Sequence, residues 1–302
     1  MNITLPKGTY IVAVSGGVDS VALLHMIAAA PGAPETTYIV AHFDHGIRAD
    51  SVADLAHVVT LANNYGYIIE TQRQELGPGA SEAVARDARY EFLRRIKGKH
   101  NAQAIIAAHH QDDLLETMLL HVMRGTGRRG LDPMRSSQDI LRPLIDHRKS
   151  DLISYANQHK LHWQEDSTNS DTKYARNALR TNVMPKLTHT GRQKLISLNI
   201  AAKVRNNETD ALLKEVSKYV FDGNNIIRMR AVTMPSSVLH EVVHLWLIQN
   251  GNNNIDNSMV TRVVVAIKTL PIGKKMSLSK NLWLVSRKSY LQICTNDQIQ
   301  PV

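Results

Sequence analysis

Ser15-Gly16-Gly17-Val18-Asp19-Ser20 puts two glycines, two hydroxyls and a carboxylate into six residues. Adjacent glycines let a backbone turn sharply and come close to a ligand, and the N–H groups of a following helix N-terminus then point at it. The chemistry suited to such a stretch is anion binding, with Ser15 and Ser20 as neutral donors. Asp19 would repel an anion unless it manages a metal ion or an amine nearby. The flanking sequence makes this a strand-to-helix turn: Tyr10-Ile11-Val12-Ala13-Val14 is an apolar run suited to a buried parallel strand, and Val21-Ala22-Leu23-Leu24-His25-Met26 reads as buried helix.

A second stretch with chemical potential is His109-His110-Gln111-Asp112-Asp113-Leu114-Leu115-Glu116-Thr117, after the strand Ala104-Ile105-Ile106-Ala107-Ala108. Leu115, Met118, Leu119 and Val122 are expected to bury one helical stripe, leaving Asp113, Glu116 and Thr117 on another with His109 at its head. Two histidines and three carboxylates at this spacing suit a divalent metal; the carboxylates equally suit the ammonium group of a substrate. Acidic residues also suit a helix N-terminus, which accounts for Asp112 and Asp113 but not for His109.

Other glycine motifs are weaker. Neither Gly98-Lys99 nor Gly273-Lys274 has the glycine and hydroxyl of a Walker loop, and Gly125-Thr126-Gly127-Arg128-Arg129-Gly130 follows a helix pattern instead of the strand a dinucleotide fingerprint needs. With Arg124, Arg128 and Arg129 that last stretch reads as a basic loop, suited to phosphate or simply solvated.

The elements that must position these residues read as alternating strand and helix. A strand at Thr37-Tyr38-Ile39-Val40-Ala41-His42-Phe43 ends in Asp44-His45-Gly46-Ile47-Arg48, followed by a helix from Asp50-Ser51 to about Tyr65 and a strand at Tyr67-Ile68-Ile69. Ligands bind at the carboxyl ends of strands in such sheets, which brings His42, His45 and Arg48 to the first loop. Ser81 opens a helix to about Ile96 with Val84, Ala88, Phe92 and Ile96 on one stripe, and Glu82, Arg86 and Arg89 on another face. A helix from about Arg148 to His159 precedes a polar segment holding Arg176, Asn177 and Arg180. The pattern from Gly191 to Tyr219 is helical, with Leu195, Leu198, Ala202, Leu212 and Val216 as expected buried points. The tail reads as α+β: a strand near Ile226 to Met229, helices near Ser236 to Gln249 and Asn257 to Lys268, and strands near Leu282 to Val285 and Tyr290 to Ile293.

Composition narrows the function classes. At 302 residues there is room for about two domains. Lys and Arg number 36 against 27 Asp and Glu, a net charge of +9 that favours a polyanionic partner, nucleic acid foremost. The single Cys294 excludes an intramolecular disulfide and any Cys-x-x-Cys metal site, and fits a reducing compartment. The start, Met1-Asn2-Ile3-Thr4-Leu5-Pro6-Lys7, lacks the apolar region of a signal peptide, and no run approaches a membrane span, so a cytoplasmic location is expected.

The SGGVDS stretch resembles the loop of the N-type ATP pyrophosphatases, which cleave ATP to AMP and pyrophosphate while adenylating a substrate. With HFDHGIR, EAVARDARYEFL, AHHQDDLLETMLLHVMRGTG, the RPL element and WQEDSTNSDTKYARNALR, the region from Ile11 to Pro185 is similar to the tRNA(Ile)-lysidine synthetase family. That resemblance implies an α/β fold: a parallel sheet with helices on both faces, Rossmann-like, over residues 1–190, a connecting helix over 191–220, and a small α+β tRNA-binding domain over 221–302. It implies ATP and Mg²⁺ as cofactors, and a CAU-anticodon isoleucine tRNA and free L-lysine as partners, with no membrane and room for a homodimer. The wobble cytidine would be adenylated and lysine would then displace AMP. Ser15, Gly16, Gly17, Val18, Asp19, Ser20, His42, His45 and Arg48 would bind the nucleotide, with Asp19 as the metal residue. Asp19, His109, Asp113 and Arg176 would be catalytic, His109 and Asp113 positioning and deprotonating the lysine amine. Glu82, Arg86, Arg89, Asp112, Glu116, Arg124, Arg128, Arg129, Asn177 and Arg180 would bind substrate. Arg176 and Arg180 both suit phosphate or a developing oxyanion. Longer family members carry a further C-terminal domain; this chain is expected to have only the first. Two enzyme rivals are a tRNA 2-thiocytidine synthetase, whose cysteine motifs are absent, and a small-molecule amidating ATP pyrophosphatase, which a pI near 9.6 disfavours. A non-catalytic RNA-binding module would not need Asp19, His109 and Asp113 together at strand ends.

Overall fold

Side chains along β1 (Gly8–Ala13) alternate between two apolar layers, which is why this strand lies at the centre of a sheet covered on both faces. Tyr10 and Val12 pack with Leu23, Leu24 and Ile27 of α1 (Val18–Ala29), Val58 and Ala62 of α2 (Ser51–Asn64), and Leu152 of α5 (Lys149–Gln158). Ile11 faces the other way, onto Tyr90, Phe92, Leu93 and Ile96 of α3 (Glu82–Lys99). Truncating a fully buried member such as Leu23 to alanine costs about 2–5 kcal/mol.

This computed structural model describes residues 3, 5–30, 36–46, 51–77, 79–135, 139–164, 175–251, 255–279 and 282–295, without the side chains of 51–53, 82 and 175. With β2 (Thr36–Asp44), β3 (Ile68–Arg73), β4 (Ala104–Ile106) and β5 (Ile140–Leu141), the first sheet has the order β3-β2-β1-β4-β5, parallel throughout. The order reverses between β1 and β4, and that switch point opens a crevice outside the carboxyl ends of the strands. The residues after β1 and β4 meet there: Ser15 to Ser20 on one side, and His109 and His110 leading into α4 (Gln111–Met123) on the other. Further helices are α6 (Ala175–Asn182) and α7 (His189–Val220).

The chain forms two compact units, 1–203 and 204–302. In the second, β6 (Phe221–Asp222), β7 (Asn225–Ile227), β8 (Lys275–Ser279), β9 (Leu282–Ser286) and β10 (Tyr290–Thr295) form an antiparallel sheet, order β6-β7-β10-β9-β8. Its core joins α8 (Arg228–Val232), α9 (Ser236–Gln249) and α10 (Asn257–Thr269) through Leu239, Val243, Val260 and Val263 around a fully buried Trp246. The indole N–H of Trp246 donates to the Asn224 carbonyl at 2.9 Å, so the polar atom of that large side chain is satisfied.

The structure corrects the sequence in several places. The expected strand to Met229 stops at Ile227, where α8 starts, and β8 had not been expected. The basic loop contains a 3-10 turn at Arg128–Leu131. Val84 and Val122 are exposed, as are Leu198 and Leu212; on α7 it is Leu213 that enters the core. Among the described residues no helix is long and apolar enough to cross a membrane.

Candidate active site

The first loop is held in shape by its own Ser20. This hydroxyl, buried at the first turn of α1, receives the N–H groups of Ser15 and Gly16, each at 3.2 Å, and donates to the Gly17 carbonyl at 2.9 Å. Its proton is directed into the loop, and Ser15 Oγ lies 3.2 Å from it. Gly16 has φ +95°, a conformation that a side chain would strain. Gly17 has φ −76°, and an added Cβ there would meet nothing nearer than Ser15 Oγ at 3.7 Å. The turn thus requires only Gly16, and Gly17 keeps clear the space before the α1 amides, which have no intrahelical acceptor. The Gln164 N–H donates to the Gly16 carbonyl at 3.0 Å, which ties the start of the polar segment to the loop.

Asp19 faces an amine that the sequence reading missed. Lys149 Nζ donates to both Asp19 oxygens, at 2.8 and 2.6 Å, and His110 Nε2 lies 3.7 Å from one of them. Burial raises the Asp19 carboxyl, but His110 and Lys149 outweigh it and hold the group below the ordinary carboxylate value. The signal for Lys149 was a cation at the first position of a helix, against the helix dipole, where the sequence alone gives no reason for one. Its backbone N–H donates to Asp112 Oδ2 at 2.8 Å, while Asp112 Oδ1 pairs with Arg192 of α7. Asp112, expected to bind substrate, links α4 to α5 and α7 through these contacts. Burial raises its carboxyl, and the Lys149 amide and Arg192 bring it below the usual value.

His109 and His110 diverge. His110 is buried and caps α4: its Nδ1 accepts the Asp113 N–H at 3.3 Å, and Asp113 Oδ2 accepts the His110 N–H at 3.1 Å. In this neutral form the proton sits on Nε2, toward Asp19. Burial lowers the His110 imidazole, but the carboxylates of Asp19 and Asp113 raise it above the ordinary histidine value. His109 accepts Arg142 Nε–H at its Nδ1, 3.3 Å away, so its proton too is on Nε2. Burial pushes His109 down to about 3, with Asp113 opposing it and Arg142, Arg89 and Arg86 acting in the same direction as burial. Asp113 itself turns to His110 and to Arg180, whose Nη2 is 3.3 Å from Oδ1.

One turn along α4, Glu116 is 3% exposed and paired with two arginines of α6: Arg180 Nε at 2.8 and 2.9 Å, and Arg176 Nε at 3.3 Å. Burial pushes the Glu116 carboxyl up and these guanidiniums pull it part of the way back. Arg176 also donates to Thr117 Oγ1 at 2.8 Å. Glu116, expected to touch substrate, holds Arg176 and Arg180 beside α4, and Asn177 between them is buried.

The other expected residues divide. His42 is 3% exposed, with Nδ1–H donating to the Val14 carbonyl at 2.8 Å, so it braces β2 against the loop; burial lowers its pKa. His45 lies at the end of β2, and Arg48 lies outside the described residues, as does the Glu82 side chain. Arg86 and Arg89 flank Tyr90, 5.1 and 5.5 Å from its ring centre, on the side where they act on His109. Arg124 is exposed at the end of α4, and Arg128 and Arg129 are half-buried in the 3-10 turn. Asp19, His109, His110, Asp113, Glu116, Arg176 and Arg180 are thus linked through direct contacts or shared fields, whereas Arg124 lies at the far end of α4 and Arg128 and Arg129 on the 3-10 turn after it.

An open parallel sheet with a glycine-turned loop leading into a helix at its switch point defines an α/β domain of the nucleotide-binding kind. Residues 2–187 match the family described as PP-loop domain, and the chain belongs to that family. It is 41% identical over 195 residues to the tRNA(Ile)-lysidine synthase of Burkholderia mallei, covering 61% of this chain and 39% of that protein. It is 34% identical over 239 residues to the tRNA(Ile)-lysidine synthase of Pseudomonas aeruginosa, covering 76% and 51%. The chain thus spans about half the length, or less, of these relatives. A solved U34-tRNA thiolase, NcsA from Methanococcus maripaludis, shares the fold at TM-score 0.56 and 12% identity, over 67% of this chain and 73% of that one.

Proposed function

We propose that this chain is a tRNA(Ile)-lysidine synthetase, acting on the wobble cytidine of a CAU-anticodon isoleucine tRNA. The observation that carries the reading is the junction at the sheet's switch point of an anion cradle, Ser15 to Ser20, with an acid and arginine cluster on α4 and α6 that suits an amino acid. In the first step the cytosine 2-oxo group attacks the α-phosphorus of ATP, the bond to the β-phosphate oxygen breaks, and pyrophosphate leaves with the electron pair. In the second, the lysine ε-amine attacks C2, the C2–O bond breaks and AMP leaves; the product reads AUA in place of AUG and carries isoleucine identity. The α1 amides and Gly17 receive the phosphates. Among the described residues no three His, Cys, Asp or Glu form a metal site, and Mg²⁺ at nucleotide sites is commonly held by one or two carboxylates with the substrate's phosphates. Mg²⁺ brought in this way would rest on Asp19 and neutralise pyrophosphate charge.

For the amine, Asp113 is the ligand and proton acceptor. His109, with Arg142 on Nδ1, offers Nε2–H as a donor to the base or the leaving oxygen, in place of the deprotonating role expected from sequence. Arg180 orients Asp113, and Arg176 stands beside it for phosphate or the developing oxyanion. The second unit is read as the tRNA-binding unit through Lys274, Lys275, Arg287 and Lys288; Arg228 is occupied by the Leu270 carbonyl and Ser286, and Arg230 by the Tyr219 carbonyl. Incubation with ATP, L-lysine and CAU-anticodon isoleucine tRNA should yield AMP, pyrophosphate and a lysine-bearing cytidine by mass spectrometry. ATP cleavage without lysine incorporation overturns the reading.

A further inference from the structure

A carboxylate beside an anion cradle opposes the ligand the cradle is built for, and the side chain that offsets it here is Lys149. Its ammonium spans both Asp19 oxygens at 2.8 and 2.6 Å, its stem starts from a backbone amide pinned by Asp112, and the side chain is 40% exposed. The candidate phosphate ligands read from sequence, Arg176 and Arg180, are drawn toward Glu116 and Asp113 on α4. Lys149 is drawn toward the loop itself. A half-exposed ion pair is weakly held and exchanges readily for a stronger partner, and a lysine suits phosphate as a compact charge.

We propose that Lys149 is a nucleotide ligand, its ammonium turning from Asp19 to the β- and γ-phosphates and remaining with the pyrophosphate as it departs. This rests on reading the loop as an ATP site. In adenylation the α-phosphorus–oxygen bond breaks toward the β-phosphate, so the charge that grows there grows on the fragment Lys149 holds. No proton moves to or from Lys149. The lysine substrate and the tRNA are not contacted.

Calorimetric titration of the full chain with ATP, with metal-free pyrophosphate and with AMP tests it. Lys149→Met should bind ATP and pyrophosphate about tenfold or more weakly, the scale of one charge-assisted bond, with AMP affinity within about twofold of wild type. Lys149→Arg should recover most of the pyrophosphate affinity. Arg148→Met, which removes a neighbouring charge that contacts His189, should leave all three affinities within about twofold, excluding a general loss of field. Unchanged pyrophosphate binding by Lys149→Met overturns the proposal, and so does an equal loss of AMP, which would make Lys149 a support of the loop. A wild-type chain that binds neither ATP nor pyrophosphate overturns the ATP reading itself, and the proposal with it.

Discussion

His109 and His110 are chain neighbours that leave β4 into opposite surroundings. His109 has Arg142, Arg89 and Arg86 set against the carboxylate of Asp113; His110 has the carboxylates of Asp19 and Asp113 set against Lys149. Burial acts against the charged imidazole in both, so what separates them is the bond of His110 to Asp19 and the balance of charge, two acids against one cation at His110 and one acid against three cations at His109. Successive residues at a strand end project to opposite sides, and a site can thereby hold a neutral donor and a carboxylate-bound imidazole a single residue apart. Where two titratable groups are pushed apart in this way, their roles are read from the push.

The strongest way to break the contrast is to remove the acid that defines the second region. Asp19→Asn should lower AMP formation by about a hundredfold or more, the scale of losing a preorganised charged group, and leave tRNA affinity within about twofold. The same substitution should move the His110 titration, followed by NMR, downward; an unmoved His110 would mean that Asp19 does not set it. Next comes Asp113→Asn, which keeps an oxygen for the His110 amide but removes the charge. Lysine transfer should fall about tenfold more than adenylation, so that adenylated RNA accumulates. Equal losses in the two half-reactions would return Asp113 to the metal-binding reading.

Stability against pH sharpens the other side. Because His109 titrates at about 3 in the folded chain and at about 6.5 when unfolded, the unfolded state binds the extra proton between those values. Its contribution is whole above the unfolded value and is lost as pH falls toward the folded one, at up to about 1.4 kcal/mol per pH unit. His110, raised, behaves oppositely: its contribution is whole below the unfolded value and is lost as pH rises through the folded one. Denaturant melts of His109→Gln should therefore show a flatter loss of stability than wild type from about pH 6 to about pH 4. An unchanged slope would place the proton uptake elsewhere. The smallest effect is expected of Arg142→Gln, which keeps an N–H for His109 Nδ1 and removes the charge. The His109 midpoint should rise while its ¹⁵N shifts still report the Nε2–H tautomer, and turnover should change by less than about threefold. A switch to Nδ1–H would show that the charge, and not the hydrogen bond, selects the tautomer.

Much of the first unit was legible because its signals are local. The apolar run through Val14, Gly16 and the buried α1 sequence specify strand, turn and helix in that order, and the alternation along β1 specifies two covered faces. The pairings were not legible, since they join residues distant in the chain. Glu116 reads as part of a polar stripe with Asp113 and Thr117, and nothing local shows that it pairs with Arg176 and Arg180, about sixty residues on. Lys149 carried no motif of its own and acquires meaning only from Asp19, 130 residues earlier. In the second unit β8 was missed because Lys275, Ser277 and Ser279 give it a polar, exposed edge character. On α7 the choice between Leu212 and Leu213 was a matter of helix phase, which only the packed core decides.

Ser20 has a consequence for timing. Its three bonds to the loop are formed as the chain folds, so the turn at Gly16 already has its shape when a nucleotide arrives. Encounter then requires no slow rearrangement of the loop backbone, and the rate of capture is governed by diffusion and by the charge of the approaching phosphates. The entropy of ordering the six residues is lost once, in folding, and does not recur at each catalytic cycle.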